Sequence, residues 1–189
     1  TTEAYTLCDA SHLYVAFVCH EPKIRDMTVS EAERDGPLWH EDCVEFFLDP
    51  TRGKTWAYHW IVNTKGVIWD GLHAPAGLDR DYSADAQAGS TVLDDRWMCE
   101  LKLPFSDIGG RPQPGDRWGV NFCRPRWVGE LEMNVWALED GSYADPKFFG
   151  EAVFAPAEAP VQVNILSRGG ACADVNDPGM NVFSLRVEN

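Results

Sequence analysis

Apolar and polar residues alternate with a period of two through most of this chain, and that pattern predicts strands. The clearest case is Cys43-Val-Glu-Phe-Phe-Leu-Asp49. In an extended chain Val44, Phe46 and Leu48 share one face, while Cys43, Glu45 and Phe47 share the other. Asp49-Pro50 ends the strand, because proline has no N–H to give to a ladder. A charged Glu45 in the middle of so apolar a strand demands a reason. Either it faces water, or it faces something that water shares with a ligand.

The same alternation continues on both sides. Residues 2–8 and 13–20 read as a hairpin around Asp9-Ala10-Ser11-His12. Tyr14, Ala16 and Val18 fall on one face and Val15, Phe17 and Cys19 on the other, both apolar, which predicts a central strand. Ser30-Glu-Ala-Glu33 has the form of a capping box and predicts a short helix before Gly36-Pro37. Residues 56–63 form the next strand, with Trp60 and Val62 alternating with His59, Ile61 and Asn63. Lys65-Gly66 turns it into Val67-Ile68-Trp69-Asp70. Residues 71–89 are rich in Ala, Gly and Asp without periodicity and predict a long loop. Residues 91–93 and 97–103 predict a second hairpin, turned at Asp94-Asp95-Arg96. Residues 104–109 predict one helical turn capped by Ser106. After a loop at 111–116, Trp118, Val120 and Phe122 mark a strand whose other face carries Asn121 and Cys123. Residues 134–138 and 152–154 read as closing strands.

Strand patterns far outnumber helical ones, and turn signals separate them. The fold class predicted is all-β, an antiparallel β-sandwich. Its core should hold Val44, Phe46, Trp60, Val62, Val120 and Phe122. Residues 1–155 make this sandwich. The small, proline-punctuated stretch 155–160 reads as a linker. Beyond it, strand patterns at 161–166 and 181–187 flank a loop with Asp174, Asn176 and Asp177. Residues 156–189 are therefore a linker and the start of a further β-domain, or a hairpin closing the first.

Charge narrows the function. Thirty Asp and Glu against sixteen Lys and Arg give a net charge of −14, the opposite of the basic footprint that nucleic-acid binding requires. That balance suits neutral ligands or cations such as calcium. No apolar run approaches the roughly 20 residues of a membrane span. The N-terminus has no signal-peptide pattern, and Thr1 opens directly on a strand, as in a piece of a larger protein. The six cysteines, Cys8, Cys19, Cys43, Cys99, Cys123 and Cys172, include no CxxC pair, which argues against zinc. Their even number permits three disulfides, but their apolar strand settings favour mainly free, buried thiols acting as small hydrophobes.

Candidate chemistry follows from the polar exceptions. No GxSxG and no phosphate-cradling glycine loop is present. Glu41, Asp42 and Glu45 offer a carboxylate pair of the kind glycoside hydrolysis needs, although adjacent acids more often form a solvated edge. Asp79, Asp81, Ser83 and Asp85 place oxygens at alternate loop positions, as calcium ligands do. Ala84 stands where an EF-hand has glycine and Ser90 where it has glutamate, so this is not an EF-hand. The strongest theme is aromatic platforms in polar loops. Trp39 precedes a strand, and Tyr143 lies in Asp140-Gly-Ser-Tyr-Ala-Asp-Pro146. A sugar ring offers apolar C–H faces to flat aromatics and hydroxyls to carboxylates and amides, and Glu45 and Asn63 are the polar residues on neighbouring strands.

The stretch Trp39-His-Glu-Asp-Cys-Val-Glu-Phe-Phe-Leu-Asp49 resembles a segment of family 9 carbohydrate-binding modules. Leu13-Tyr-Val-Ala-Phe17, Leu103-Pro-Phe-Ser-Asp-Ile108 followed by Pro114-Gly-Asp-Arg-Trp-Gly-Val-Asn-Phe122, and Asp145-Pro-Lys-Phe-Phe-Gly150 are similar to further segments, in the family's order. The likeness runs from about residue 3 to 154 and extends to the related DOMON-like sandwiches, of immunoglobulin or jelly-roll type. It implies a calcium-containing, non-catalytic sandwich, extracellular or periplasmic, attached to neighbouring domains of a glycoside-active enzyme. It implies that Trp39 and Tyr143 sandwich a sugar unit and that Glu45 binds its hydroxyls. The family's binding arginine falls near Ile61, where this chain has none, which leaves Arg124 or His59 to supply a donor. Two alternatives accompany this reading. One is a structural module whose sugar site has decayed. The other is a haem-binding, DOMON-type electron-transfer domain, for which Met27, Met98 and Met133 are present without a placing motif.

Overall fold

In the computed structural model the described residues are 1–30, 33–137, 141–154 and 181–187, the last as main chain only. Their regular structure is twelve strands and four short 3₁₀ turns, with no α-helix. The strands are β1 (Thr2–Cys8), β2 (His12–His20), β3 (Cys43–Asp49), β4 (Ala57–Asn63), β5 (Ile68–Ala74), β6 (Gly77–Asp79), β7 (Gln87–Val92), β8 (Arg96–Pro104), β9 (Arg117–Arg126), β10 (Glu132–Val135), β11 (Gly150–Val153) and β12 (Asn181–Val187). They form two antiparallel sheets. One runs β12-β1-β2-β8-β7. The other runs β10-β9-β3-β4-β5-β6, with β11 also beside β9. The class read from the alternation, an antiparallel sandwich, is the one observed.

The sheets meet through the faces that the alternation selects. Leu13, Val15, Phe17 and Cys19 of β2, and Trp97, Cys99, Leu101 and Leu103 of β8, point inward from the smaller sheet. Val44, Phe46, Leu48, Trp60, Val62, Trp118, Val120 and Phe122 meet them from the larger. All six core residues expected from the sequence are there. Phe46 stacks on Trp60 at 5.9 Å and tilts against Phe122 at 5.2 Å, and Phe122 meets Phe17 edge-on at 5.9 Å. Each such side chain contributes about 1.5–3 kcal/mol by leaving water. One buried ionic group also ties the sheets together. Glu21, just past β2, accepts from Arg124 and Arg126 of β9. Burial alone would raise its pKa, but the hydrogen bonds from Arg126 and the Lys23 N–H outweigh that and hold it below the usual carboxylate range.

Several local expectations are corrected. Residues 71–89 are not one loop. β5 continues to Ala74, turns through Gly77 at φ +123°, and returns as β6, and β7 begins at Gln87. The alternation was hidden because Gly71 stands in mid-strand. A Cβ there would lie 2.7 Å from Cη2 of Trp69, so the glycine is the seat of that indole. Ser30 and Glu33 do not open a helix. The Ser30 N–H donates to Glu41 instead, which removes the bond a capping box needs. Ser106 sits inside the 3₁₀ turn Phe105–Asp107 rather than capping it, and donates to Asp107. The expected strand at 134–138 is β10 at Glu132–Val135. β2 is central in its sheet as expected, but only one of its faces is buried. Cys8, Cys19, Cys43, Cys99 and Cys123 are free thiols. Cys172, Leu138, the 155–160 linker, the 161–166 strand pattern and the loop with Asp174, Asn176 and Asp177 lie outside the described residues. β12 pairs with β1 along its full length, from Thr2 with Val187 to Cys8 with Asn181.

Packing at glycines gives a direct check of this fold. A Cβ on Gly150 of β11 would land on the ring of Trp136, whereas one on Gly89 of β7 meets nothing within 4 Å. Gly150→Ala should cost about 1–3 kcal/mol by overpacking, and Gly89→Ala should stay within about 0.5 kcal/mol. Urea denaturation of both variants measures the difference, and equal effects would contradict the packing described.

Candidate functional site

The outer face of the larger sheet carries the polar residues that the alternation left unexplained. Opposed residues of an antiparallel pair share a face. Register therefore places Cys123, Glu45, Ile61 and Trp69 in one row across β9, β3, β4 and β5, and Asn121, Phe47, His59 and Gly71 in the next. The strand residues of this face are largely buried. Cys43 and Phe47 are 0% exposed, and Glu45 is 2% exposed. A second apolar cluster of Leu38, Cys43, Ile61 and Trp69, with Trp39 and Val67 against it, covers part of it.

Glu45 is therefore buried, and its partner is His59. The Oε2 of Glu45 lies 2.8 Å from Nε2 of His59. The other ring nitrogen of His59, Nδ1, lies 3.1 Å from Nε2 of His73. The imidazole of His59 stacks flat on Phe47, 3.9 Å between centroids at 15°. Both nitrogens of His59 are thus engaged and the ring cannot turn. Glu45 Oε1 has no partner among the described residues, so one oxygen of an oriented carboxylate is left over. His73, half-buried at the end of this chain of contacts, has its pKa pushed down to about 4, by burial first and by His59 second.

Two aromatics rise from this floor. Trp39 belongs to the 3₁₀ turn Leu38–His40, is partly buried, and meets Trp69 edge-on at 6.0 Å. Its Nε1–H donates to His40 at 2.9 Å. The turn is fixed by the acids that follow it. Glu41 accepts from the N–H and hydroxyl of Ser30, and Asp42 accepts from the N–H groups of Thr28 and Trp127. Tyr143 stands on Phe47 at 5.9 Å, edge-on. Burial raises the pKa of its phenol, and the charge of Glu45 raises it further. Asn121 holds the loop that carries it. Its Nδ2 donates to the carbonyls of Ala137 and Tyr143, and its Oδ1 accepts from the Ala137 N–H. The footings of the two rings, Trp69 on β5 and Phe47 on β3, lie two strands apart, roughly 10 Å at the usual strand spacing.

Of the residues singled out from the sequence, Trp39, Glu45, His59 and Tyr143 are brought together. Asn63 is not available to a ligand. It is 0% exposed, and its Oδ1 accepts from Lys65 and Val67 to close the β4–β5 turn. Arg124 faces the other way. It sits on the core side of β9 with Thr2, the His20 carbonyl and Glu21. Glu41 and Asp42 are spent on backbone and hydroxyl groups, so they do not face Glu45 as a hydrolytic pair. Asp79, Asp81 and Asp85 do not converge. Asp79 accepts from the Asp81 N–H, and the Asp85 N–H donates to Asp107. Among the described residues no three His, Cys, Asp or Glu side chains gather as a metal cage would. Met98 lies on β8 and Met133 on β10, in different sheets, while Met27 packs on the core. Sequence reasoning missed His73, Asn121 as the holder of Tyr143, and Arg80, whose guanidinium carbon lies 5.1 Å over the Trp39 ring. His73 was legible in principle, since Trp69, Gly71 and His73 keep a period of two.

The depressed pKa of His73 gives stability a pH dependence with a definite sign. The unfolded chain takes up a proton near 6.5, and the folded chain takes it up only near 4. Between those values the unfolded state holds more protons, so stability is full above about pH 6.5 and falls as pH drops toward 4. His73→Gln should flatten this part of the profile. Urea midpoints at pH 7 and pH 5 decide it, and a variant with the same slope as the parent would contradict the assignment.

The sequence profile of a family described as carbohydrate family 9 binding domain-like matches residues 1–156. No curated protein matches the chain. Solved structures share its fold, two of them in complex with a sugar. One is a carbohydrate-binding module of family 9 from Caldicellulosiruptor kristjanssonii in complex with cellotriose. It has a TM-score of 0.62 and 18% identity, covering 88% of this chain and 82% of that one. The other is a family 9 module from the same organism in complex with glucose, with a TM-score of 0.59 and 18% identity over 84% and 80% of the two chains.

Proposed function

This chain belongs to the carbohydrate family 9 binding domain-like family, and on that premise we propose that it is a non-catalytic module holding one sugar unit between Trp39 and Tyr143. The observation that carries the proposal is the buried Glu45. His59 takes one of its oxygens and leaves Oε1 without a partner beside two partly buried aromatics. A sugar hydroxyl would pair with that oxygen while the rings cover C–H faces. The glucose and cellotriose complexes of the two similar structures make those sugars the first ligands to try.

An open slot for a single unit gives modest affinity, with a dissociation constant from about 1 mM to 1 μM, or roughly −4 to −8 kcal/mol. Trp39→Ala should lose most of that binding and also lower the melting temperature, because the ring is partly buried against Trp69. Glu45→Gln should weaken binding less, because an amide keeps one acceptor oxygen. Calorimetric titration with glucose and cellotriose, with melting temperatures alongside, measures both. If the unaltered chain binds neither sugar, the module has a decayed site and the reading is wrong.

A structural calcium ion belongs to the same proposal. Its support is family membership and the excess of acids, since Asp79, Asp81 and Asp85 do not fit as a cage. A bound ion stabilises in proportion to its occupancy, so EDTA should lower the melting temperature and added calcium should restore it. An unchanged melting temperature and no calcium by metal analysis would refute this part. Attachment to a glycoside-active enzyme outside the cytoplasm completes the reading, and family membership is its support.

A further inference from the structure

We propose that the open gap between the two sheets beside β10 is a second binding site, separate from the sugar slot, and that it takes the carboxylate of an acidic sugar. The apolar core ends there because the inward face of β9 changes character. Trp118, Val120 and Phe122 point into the core, and the next two residues on that face are Arg124 and Arg126. β10 sets Asn134 opposite Arg124 and Glu132 opposite Arg126, so all four share one face. Together with His20 and Glu21 they line an open cavity of about 480 Å³, within the size range of small-molecule sites.

Donors and acceptors in this cavity do not balance. Glu21 is fully engaged. Its Oε1 accepts from the Lys23 N–H and Arg126, and its Oε2 from Arg124 and Arg126. Asp42, whose charge also reaches Arg124, accepts from the Thr28 and Trp127 N–H groups. Glu132 pairs with Arg126 at the rim, and His20 turns to Glu3 at 3.6 Å. Arg124 uses Nη1 on Thr2 and the His20 carbonyl, and Nη2 on Glu21. Its Nε–H is buried and has no partner among the described residues, an unfavourable state for a donor on a charged group. The Asn134 side chain has no hydrogen bond among the described residues either, although the residue is only 9% exposed. Two unused donor groups therefore stand on neighbouring strands, one of them a guanidinium, while the carboxylates around them are taken. The paired oxygens of a carboxylate suit such donors, and bonds between a charged donor and a charged acceptor are the strong ones. A phosphate would bring up to two charges beside Glu21 and Glu132, where a carboxylate brings one. The cavity is larger than an acetate ion would fill, which points to a carboxylate carried on a body the size of a sugar.

The test is calorimetric titration of the whole chain and of N134L, N134D and W39A with glucuronate, acetate and glucose, with melting temperatures alongside. Arg124 is left unaltered, because its bonds to Thr2, His20 and Glu21 tie the sheets together. W39A removes the slot, which lies on the outer face of the larger sheet, and should still bind glucuronate through the cavity on the inner face. N134L breaks no hydrogen bond among the described residues, so its melting temperature should hold while glucuronate weakens roughly 10- to 100-fold, the range of one hydrogen bond to a charged group. N134D sets a charge against the incoming carboxylate and should abolish binding at the cavity. Neither Asn134 variant should change the titration with glucose, so failure of the slot and failure of this site are distinguishable. The site is overturned if the parent does not bind glucuronate, if W39A loses glucuronate together with glucose, or if both Asn134 variants bind glucuronate like the parent. Acetate bound as tightly as glucuronate would overturn the acidic sugar as its ligand.

Discussion

Burying Glu45 is the constraint on which the rest of this structure depends. A carboxylate in the middle of a strand with both faces covered is expensive unless it is met by a partner. His59 provides that partner from the adjacent strand, at the diagonal position across β3 and β4 where side chains on one face still reach each other. Phe47 fixes the imidazole by stacking, and His73 takes its far nitrogen. The same Phe47 is the footing of Tyr143. A single strand thus supplies the inward core through Val44, Phe46 and Leu48, and the floor of the site through Glu45 and Phe47. Moving its register by one residue would exchange the two faces and destroy both.

The fold was legible because its strands obey one period. Val44, Phe46, Trp60, Val62, Val120 and Phe122 were placed correctly from alternation alone, since every large apolar residue in these strands has one of two faces to choose. The signal failed where side chains are small. Gly71 and Ala74 are too small to show the alternation, yet Gly71 pairs with His59 of β4 beneath the Trp69 indole and Ala74 pairs with Gly77 of β6. It failed again at Ser30, where a local capping pattern lost to Glu41, which is close in space and not at capping-box spacing.

The site was half legible for a related reason. Trp39, Glu45 and Tyr143 stand out locally, as aromatics in polar loops and an acid in an apolar strand. The roles of their neighbours depend on pairing that spacing does not encode. Asn63 and Asn121 look alike in sequence, each a polar residue on an apolar strand. One closes a tight turn on its own strand, and the other reaches across to hold the Tyr143 loop. Arg124 faces away because β9 turns Cys123, its neighbour, toward Glu45. Some of the acids are structural in the same sense. Glu21, Glu41, Asp42, Asp49 and Asp70 are all buried and hydrogen-bonded, so they anchor loops rather than present charge to a partner.

The central claim is that Glu45 and its two flanking aromatics form the place where a sugar sits. A crystal structure of the chain soaked with cellotriose tests it most directly. The account predicts one sugar unit between Trp39 and Tyr143, with a hydroxyl within hydrogen-bond distance of Oε1 of Glu45 and the His59 contact intact. Sugar bound on another surface, or Oε1 of Glu45 taken by a protein group while the slot stays closed, would contradict it.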